Sequence, residues 1–292
     1  MKRRHILAAA ALVIALLAGG AWAFRERIVL SYLGSQIEKR TLAEQAAFIE
    51  PYIHVYAPET GAAPFPTIVQ FHGCAGYKPA FMDGWAKIAT QAGFRVLAVD
   101  SGAPRGFDRD AMLAKVCSGK KLIGQERAAD IAAALSIVRA RSDIDPDRLI
   151  VAGWSHGAWS LMDYLALSGA HRAPPALKGE AAPVDPAGVI LFYPYCGAGS
   201  WSRLLRWRTK AEAIAFIAGE DSIVDADACR GMLDAIKRKG TSLELVYYPQ
   251  ADHAFDDAGN LGGDYAYLYS EEADRDSRVR YAAFLERIKA GR

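Results

Sequence analysis

Apolar residues in this chain gather in short unbroken runs, separated by longer stretches whose apolar positions recur with helical spacing. Thr67 to Phe71, Phe94 to Asp100, Arg148 to Trp154, Gly188 to Tyr193, Glu212 to Ala218 and Leu243 to Tyr248 have the compactness of strands buried on both faces. Tyr52 to Tyr56 alternates and predicts an additional early strand. Helices are predicted over Phe81 to Ala92, with Gly93 as terminator, and over Leu122 to Arg141, with Ile131, Leu135 and Val138 on one face. Further helices are expected from His156 to about Ser168, Ala226 to Lys239 and Glu271 to Ile288. Strand alternating with helix calls for an α/β domain, with a mostly parallel central sheet and helices on both faces. Glu59 to Pro66, Ser101 to Gly119 and the proline-rich Ala173 to Pro186 read as connections, and Ser200 to Lys210 interrupts the alternation. Phe24 to Ala47 has only weak helical spacing and is expected to be an arm or linker. No internal repeat appears.

The N-terminus changes the picture. Met1-Lys2-Arg3-Arg4-His5 is basic, Ile6 to Phe24 carries no charge, and Ala21-Trp22-Ala23 offers a small-x-small exit. This layout fits a secretory signal peptide, or an uncleaved anchor to the cytoplasmic membrane. Under either reading the remainder is exported, to the periplasm or outside the cell. The chain then divides into residues 1–24 for targeting, 25–50 as the arm and 51–292 as the catalytic domain. The formal charge of +2 becomes −1 without Lys2, Arg3 and Arg4, so the domain has no basic surplus suited to nucleic acid. Four cysteines, Cys74, Cys117, Cys196 and Cys229, lie in the exported part. An even number suggests two disulfides, and three pairings stay open. Their spacings contain no C-x-x-C pair, which argues against a zinc site.

The candidate chemistry centres on Gly153-Trp154-Ser155-His156-Gly157, a G-x-S-x-G that follows an apolar strand and opens a helix. A nucleophile elbow has this order of elements, with Ser155 on a strained turn and the glycines relieving collisions. The following helix would point its positive end at the serine. A serine hydroxyl needs a base, and His253 alone of the six histidines follows the last strand. His156 faces the wrong way along its helix. An acid is needed between Ser155 and His253, at a strand end: Asp221 fits, and Asp225 and Glu220 are rivals. Oxyanion donors are expected from the amide of His156 and from the loop after Phe71, with the amide of Cys74 as the candidate. His72 is expected to rigidify that loop or donate within it, and is a candidate for binding substrate. Arg105 suits either a substrate carboxylate or a structural ion pair. Trp154, Trp159, Tyr195, Trp201, Trp207, Tyr265, Tyr267 and Tyr269 are candidates for an aromatic cleft or for ordinary packing.

These stretches, with His72-Gly73-Cys74-Ala75-Gly76, Pro104-Arg105-Gly106, Gly219-Glu220-Asp221 and Asp252-His253-Ala254-Phe255, resemble the α/β-hydrolase superfamily and within it the dienelactone hydrolase-like family. The resemblance spans roughly residues 65 to 290. It implies a serine-type hydrolase with Ser155, Asp221 and His253 as triad. It also suggests disulfides Cys74–Cys117 and Cys196–Cys229 around the site. Two features depart from the family pattern. Ser155 replaces the cysteine nucleophile of dienelactone hydrolases, and the acid motif is one residue short. The expected activity is hydrolysis of small-molecule carboxylic esters through an acyl-enzyme, with no metal or organic cofactor. The alternatives are a peptidase or acyltransferase on the same fold, or a membrane-tethered binding protein without turnover.

Overall fold

The computed structural model describes residues 24–179, 183–259 and 268–291. The expected targeting segment thus lies outside the described residues, except Phe24. Strands β1 (Ile53–Tyr56), β2 (Phe65–Phe71), β3 (Arg95–Val99), β4 (Ile144–Trp154), β5 (Gly188–Phe192), β6 (Glu212–Ala218) and β7 (Leu243–Tyr248) form one sheet in the order β1-β3-β2-β4-β5-β6-β7. Only β1 runs antiparallel, pairing Ile53 with Val99. All other neighbours are parallel, with Phe71 opposite Gly153 and Trp154 opposite Phe192.

Successive side chains of a strand point to opposite faces, and the core divides accordingly. Val69, Phe71, Val151, Val189, Leu191 and Ala215 face α4 (Gly124–Arg139), α5 (His156–Gly169) and α6 (Ala226–Arg238). Ile68, Ile150, Ile190, Phe192 and Phe216 face α3 (Pro79–Gln91) and α7 (Glu271–Lys289). Trp85 of α3 packs among Trp154, Phe192 and Tyr281, with ring centroids 4.8–5.6 Å apart.

Residues 25–50, expected as an arm, form α1 (Arg25–Ser35) and α2 (Leu42–Ile49), both packed on the domain. Leu30 and Ile49 are buried, Gln125 donates to the Leu30 carbonyl at 3.0 Å, and Gln45 donates to the buried Asp130. Thr41 and Glu44 form a capping box at the start of α2.

Two connections are more ordered than their sequence suggested. Strand β2 begins at Phe65, inside the expected loop, with a register shift between Phe65 and Thr67 that accommodates Pro66. The stretch after Ser101 contains a turn of helix at Ala103–Arg105 and a π-helix at Met112–Cys117. Buried Met112, Val116 and Leu122 form a small core of its own there.

Candidate active site

The end of β4 and the start of α5 hold Ser155 at φ 52°, ψ −111°, a conformation costly for any residue with a Cβ. The two glycines permit it. A Cβ on Gly157 would sit 2.2 Å from the Phe71 carbonyl oxygen, and one on Gly153 would sit 2.6 Å from the Ala158 nitrogen. The serine therefore projects at the C-terminal edge of the sheet, where parallel α/β folds bind ligands.

Three turns converge on it. His253, after β7, places Nε2 2.9 Å from Ser155 Oγ. Its Nδ1 is 2.7 Å from Oδ2 of Asp221, after β6. An ionised carboxylate only accepts, so Nδ1 carries the proton, and Nε2 is left to accept from the serine hydroxyl. The other oxygen of Asp221 accepts the amides of Ile223 and Val224 at 2.9 and 2.8 Å. Asp225, the rival acid, instead caps α6 by accepting the amide of Ala228 at 2.9 Å. The shortened acid motif is accommodated by close approach of the two turns: a Cβ on Gly219 would lie 2.5 Å from the Pro249 carbonyl oxygen.

Asp252 joins these turns. Its Oδ1 accepts the amides of Ser222 at 2.8 Å and His253 at 2.7 Å, and its Oδ2 accepts that of Leu268 at 3.2 Å. Burial pushes this carboxyl up, but the amide hydrogen bonds outweigh it and hold the group below its ordinary value. The only hint of this role in the sequence is a carboxylate directly before His253.

On the opposite side, Cys74 and Ser155 line the same cavities. Among the described residues, neither the amide of Cys74 nor that of His156 donates to a protein acceptor. His72 is buried: Nδ1 donates to the Gly73 carbonyl at 2.7 Å, and Nε2 accepts the Ser101 amide at 3.1 Å. Burial, reinforced by nearby Arg127, disfavours its charged form. Arg127 is itself fully buried and donates to the His72 carbonyl at 2.7 Å and to Ser101 Oγ at 3.0 Å. Burial brings its guanidinium down to about 10. The His156 ring turns inward, with Nδ1 3.4 Å from Arg127, and burial holds it well below its ordinary pKa.

Other candidates are placed away from the serine. Arg105 makes a two-pronged pair with buried Asp130 at 3.0 and 3.1 Å, the ion-pair alternative, and does not line either cavity at Ser155. Trp154 lines the site while its indole N–H donates to Asp256 at 3.1 Å. Asp256 also accepts from Tyr193 at 2.7 Å, and the Tyr193 ring packs 4.8 Å from that of His253. Burial raises Asp256 to about 7. Trp201 and Trp207 are buried in the core, Tyr269 bonds Asp274 at the surface, and Tyr265 and Tyr267 lie outside the described residues.

The four cysteines close two bridges, Cys74–Cys117 and Cys196–Cys229, with Cα separations of 4.9 and 5.0 Å. This is the pairing that the resemblance suggested. The first ties the turn after β2 to the π-helix, and the second ties the loop after β5 to α6.

The sheet order, the elbow and the helices on both faces define an α/β-hydrolase. The model of the dienelactone hydrolase family matches residues 53–289, and the chain belongs to that family, as a hydrolase of carboxylic esters. No curated protein matches the chain. Among solved structures, it is similar to a dienelactone hydrolase-like promiscuous phosphotriesterase, P91, from metagenomic libraries. That match has 18% identity and a TM-score of 0.62, over 81% of this chain and 92% of that one. Esterase 2 of Thermogutta terrifontis phosphorylated by paraoxon matches at 19% identity and a TM-score of 0.58, over 79% and 85% of the two chains. The propionate-bound form of that esterase matches at 19% and 0.57, over 79% and 88%.

Proposed function

We propose that the protein is a serine carboxylesterase in which Ser155 is the nucleophile, His253 the general base and acid, and Asp221 the residue that orients His253. The observation carrying this reading is the continuous chain from Ser155 Oγ through His253 to Asp221, at 2.9 and 2.7 Å, behind a strained elbow. His253 Nε2 takes the hydroxyl proton as Oγ bonds to the ester carbon, and the carbonyl electron pair moves to oxygen. The amide of Cys74, in the turn after β2, and that of His156, at the N-terminus of α5, would hold that oxyanion; both lack a backbone acceptor among the described residues. Collapse expels the alkoxide, which takes the proton from His253 and leaves an acyl-serine. Water, deprotonated by the same nitrogen, then attacks the acyl carbon and releases the acid with Ser155 restored. Asp221 stabilises the imidazolium in both halves.

The test is covalent labelling by a fluorophosphonate, together with turnover of short acyl esters. Labelling at Ser155 that is lost in Ser155→Ala and in His253→Ala is expected. A folded protein that neither labels nor hydrolyses would overturn the reading and leave a binding protein on a hydrolase fold.

The chain is further read as exported, through residues 1–24. Two disulfides support this, since such bonds persist in oxidising compartments. Cell fractionation with the full chain decides it, and recovery in the cytoplasm would count against it.

A further inference from the structure

Two cavities meet at Ser155, and they differ in size, lining and position relative to His253. The larger holds about 310 Å³ and is bounded by Leu33, Val116, Ile123, Trp159, Tyr195 and Val224. Among the described residues no Asp, Glu, Lys or Arg lines it, and burial disfavours the charged form of His156, which also lines it. The smaller holds about 80 Å³, and His253 lines it together with Trp154 and Tyr193. Lys78 and Asp257, paired at 2.5 Å, line this smaller one too. Cys74 and Ser155 face both.

Proton delivery gives the two cavities different tasks. His253 must hand its proton to the leaving oxygen, so the alcohol half of an ester belongs on the side that His253 lines. The acyl half then enters the larger cavity. That volume is about twice the ~150 Å³ apolar cavity known to take a benzene ring, whereas the smaller one has room for only a few heavy atoms. A charged acyl group would lose its hydration there without a partner.

One wall of the larger cavity comes from outside the segment that matches the family. Leu33 lies on α1, which precedes residue 53. Its helix is held in place by buried Leu30, by Gly34 against Pro175 and by the Glu26–Arg203 pair at 3.1 Å. We propose that the cavity bounded by Leu33, Trp159 and Tyr195 is the acyl pocket, that the preferred substrates join a bulky uncharged apolar acid, aryl or medium-chain, to a small alcohol, and that Leu33 sets the size of acid accepted. This rests on the assignment of Ser155 and His253 above.

The test compares two ester series on the full chain by pH-stat: methyl acetate, methyl octanoate and methyl benzoate against octyl acetate and benzyl acetate. Enlarging the acid is expected to raise kcat/KM at least about tenfold, and enlarging the alcohol is expected not to raise it. Leu33→Trp should lower the octanoate-to-acetate ratio of kcat/KM about tenfold or more, and Tyr32→Ala, one residue away and exposed, should leave that ratio unchanged. Preference for octyl or benzyl acetate, or a ratio indifferent to Leu33→Trp, overturns the proposal. Fluorophosphonate labelling separates the two levels: Ser155 labelled without acyl preference sinks this assignment alone, and Ser155 unlabelled sinks the catalytic reading beneath it.

Discussion

Asp221 and Asp225 stand four residues apart, have the same side chain and meet different partners. Asp221 reaches His253, and Asp225 closes the first turn of α6. Asp221→Asn should leave the fold intact and lower kcat by about 10⁴, because the amide cannot hold His253 in the tautomer that Ser155 needs. Asp225→Ala should cost about 1 kcal/mol in urea unfolding and leave kcat unchanged. Similar loss of kcat in both variants would undo the assignment. Sequence could not separate the pair, because a catalytic carboxylate and a helix cap are both carboxylates at a strand end. Asp256 carries a second consequence at this scale. Its carboxyl ionises near 4 in an unfolded chain, but burial delays this to about 7 in the fold. Between those values the unfolded state has released a proton that the folded state retains, so stability falls as pH rises through that window. Asp256→Asn can keep both bonds by accepting from Trp154 and donating to the Tyr193 hydroxyl. The variant should match the parent in urea unfolding at pH 4 and exceed it at pH 8 by on the order of 4 kcal/mol. Equal stability at pH 8 would show that Asp256 ionises normally.

Elements were legible where burial imposes a period. Strands β6 and β7 have the bounds their apolar runs predict, and α5 starts at the residue after the serine. Helix α1 was weak in sequence for a physical reason: Phe24, Ile28, Val29 and Tyr32 are exposed around it while Leu30 and Gly34 carry its buried contact, so its apolar residues do not form one stripe. The π-helix at Met112–Cys117 was illegible because its small core is closed by a covalent tie rather than by a periodic face. The disulfides span 43 and 33 residues, and each restricts the unfolded chain by about 2–4 kcal/mol. Reduction should lower the Tm, and Cys196→Ser with Cys229→Ser should reproduce part of that fall. Unchanged melting in the presence of reductant would show that neither bridge contributes to stability.

For the whole molecule, alternation of strand and helix was enough to call for a parallel sheet, but the order in which strands sit side by side comes from crossovers that no local pattern records. Hence the sequence placed Ser155 and His253 at strand ends, while their 2.9 Å contact and the two unequal cavities required the assembled sheet. Leu33 shows the same limit from the other direction: a residue outside the family segment reaches the site only because α1 docks against α4. The carboxylate of Asp252 has a mechanical consequence at this scale. Asp221 and His253 follow β6 and β7, the two strands at one margin of the sheet. Because Asp252 grips the amides of Ser222 and His253 together, the two turns share one degree of freedom in place of two. Any displacement of that margin is then expected to carry the imidazole and its carboxylate together, and to fall on the contact between His253 and Ser155.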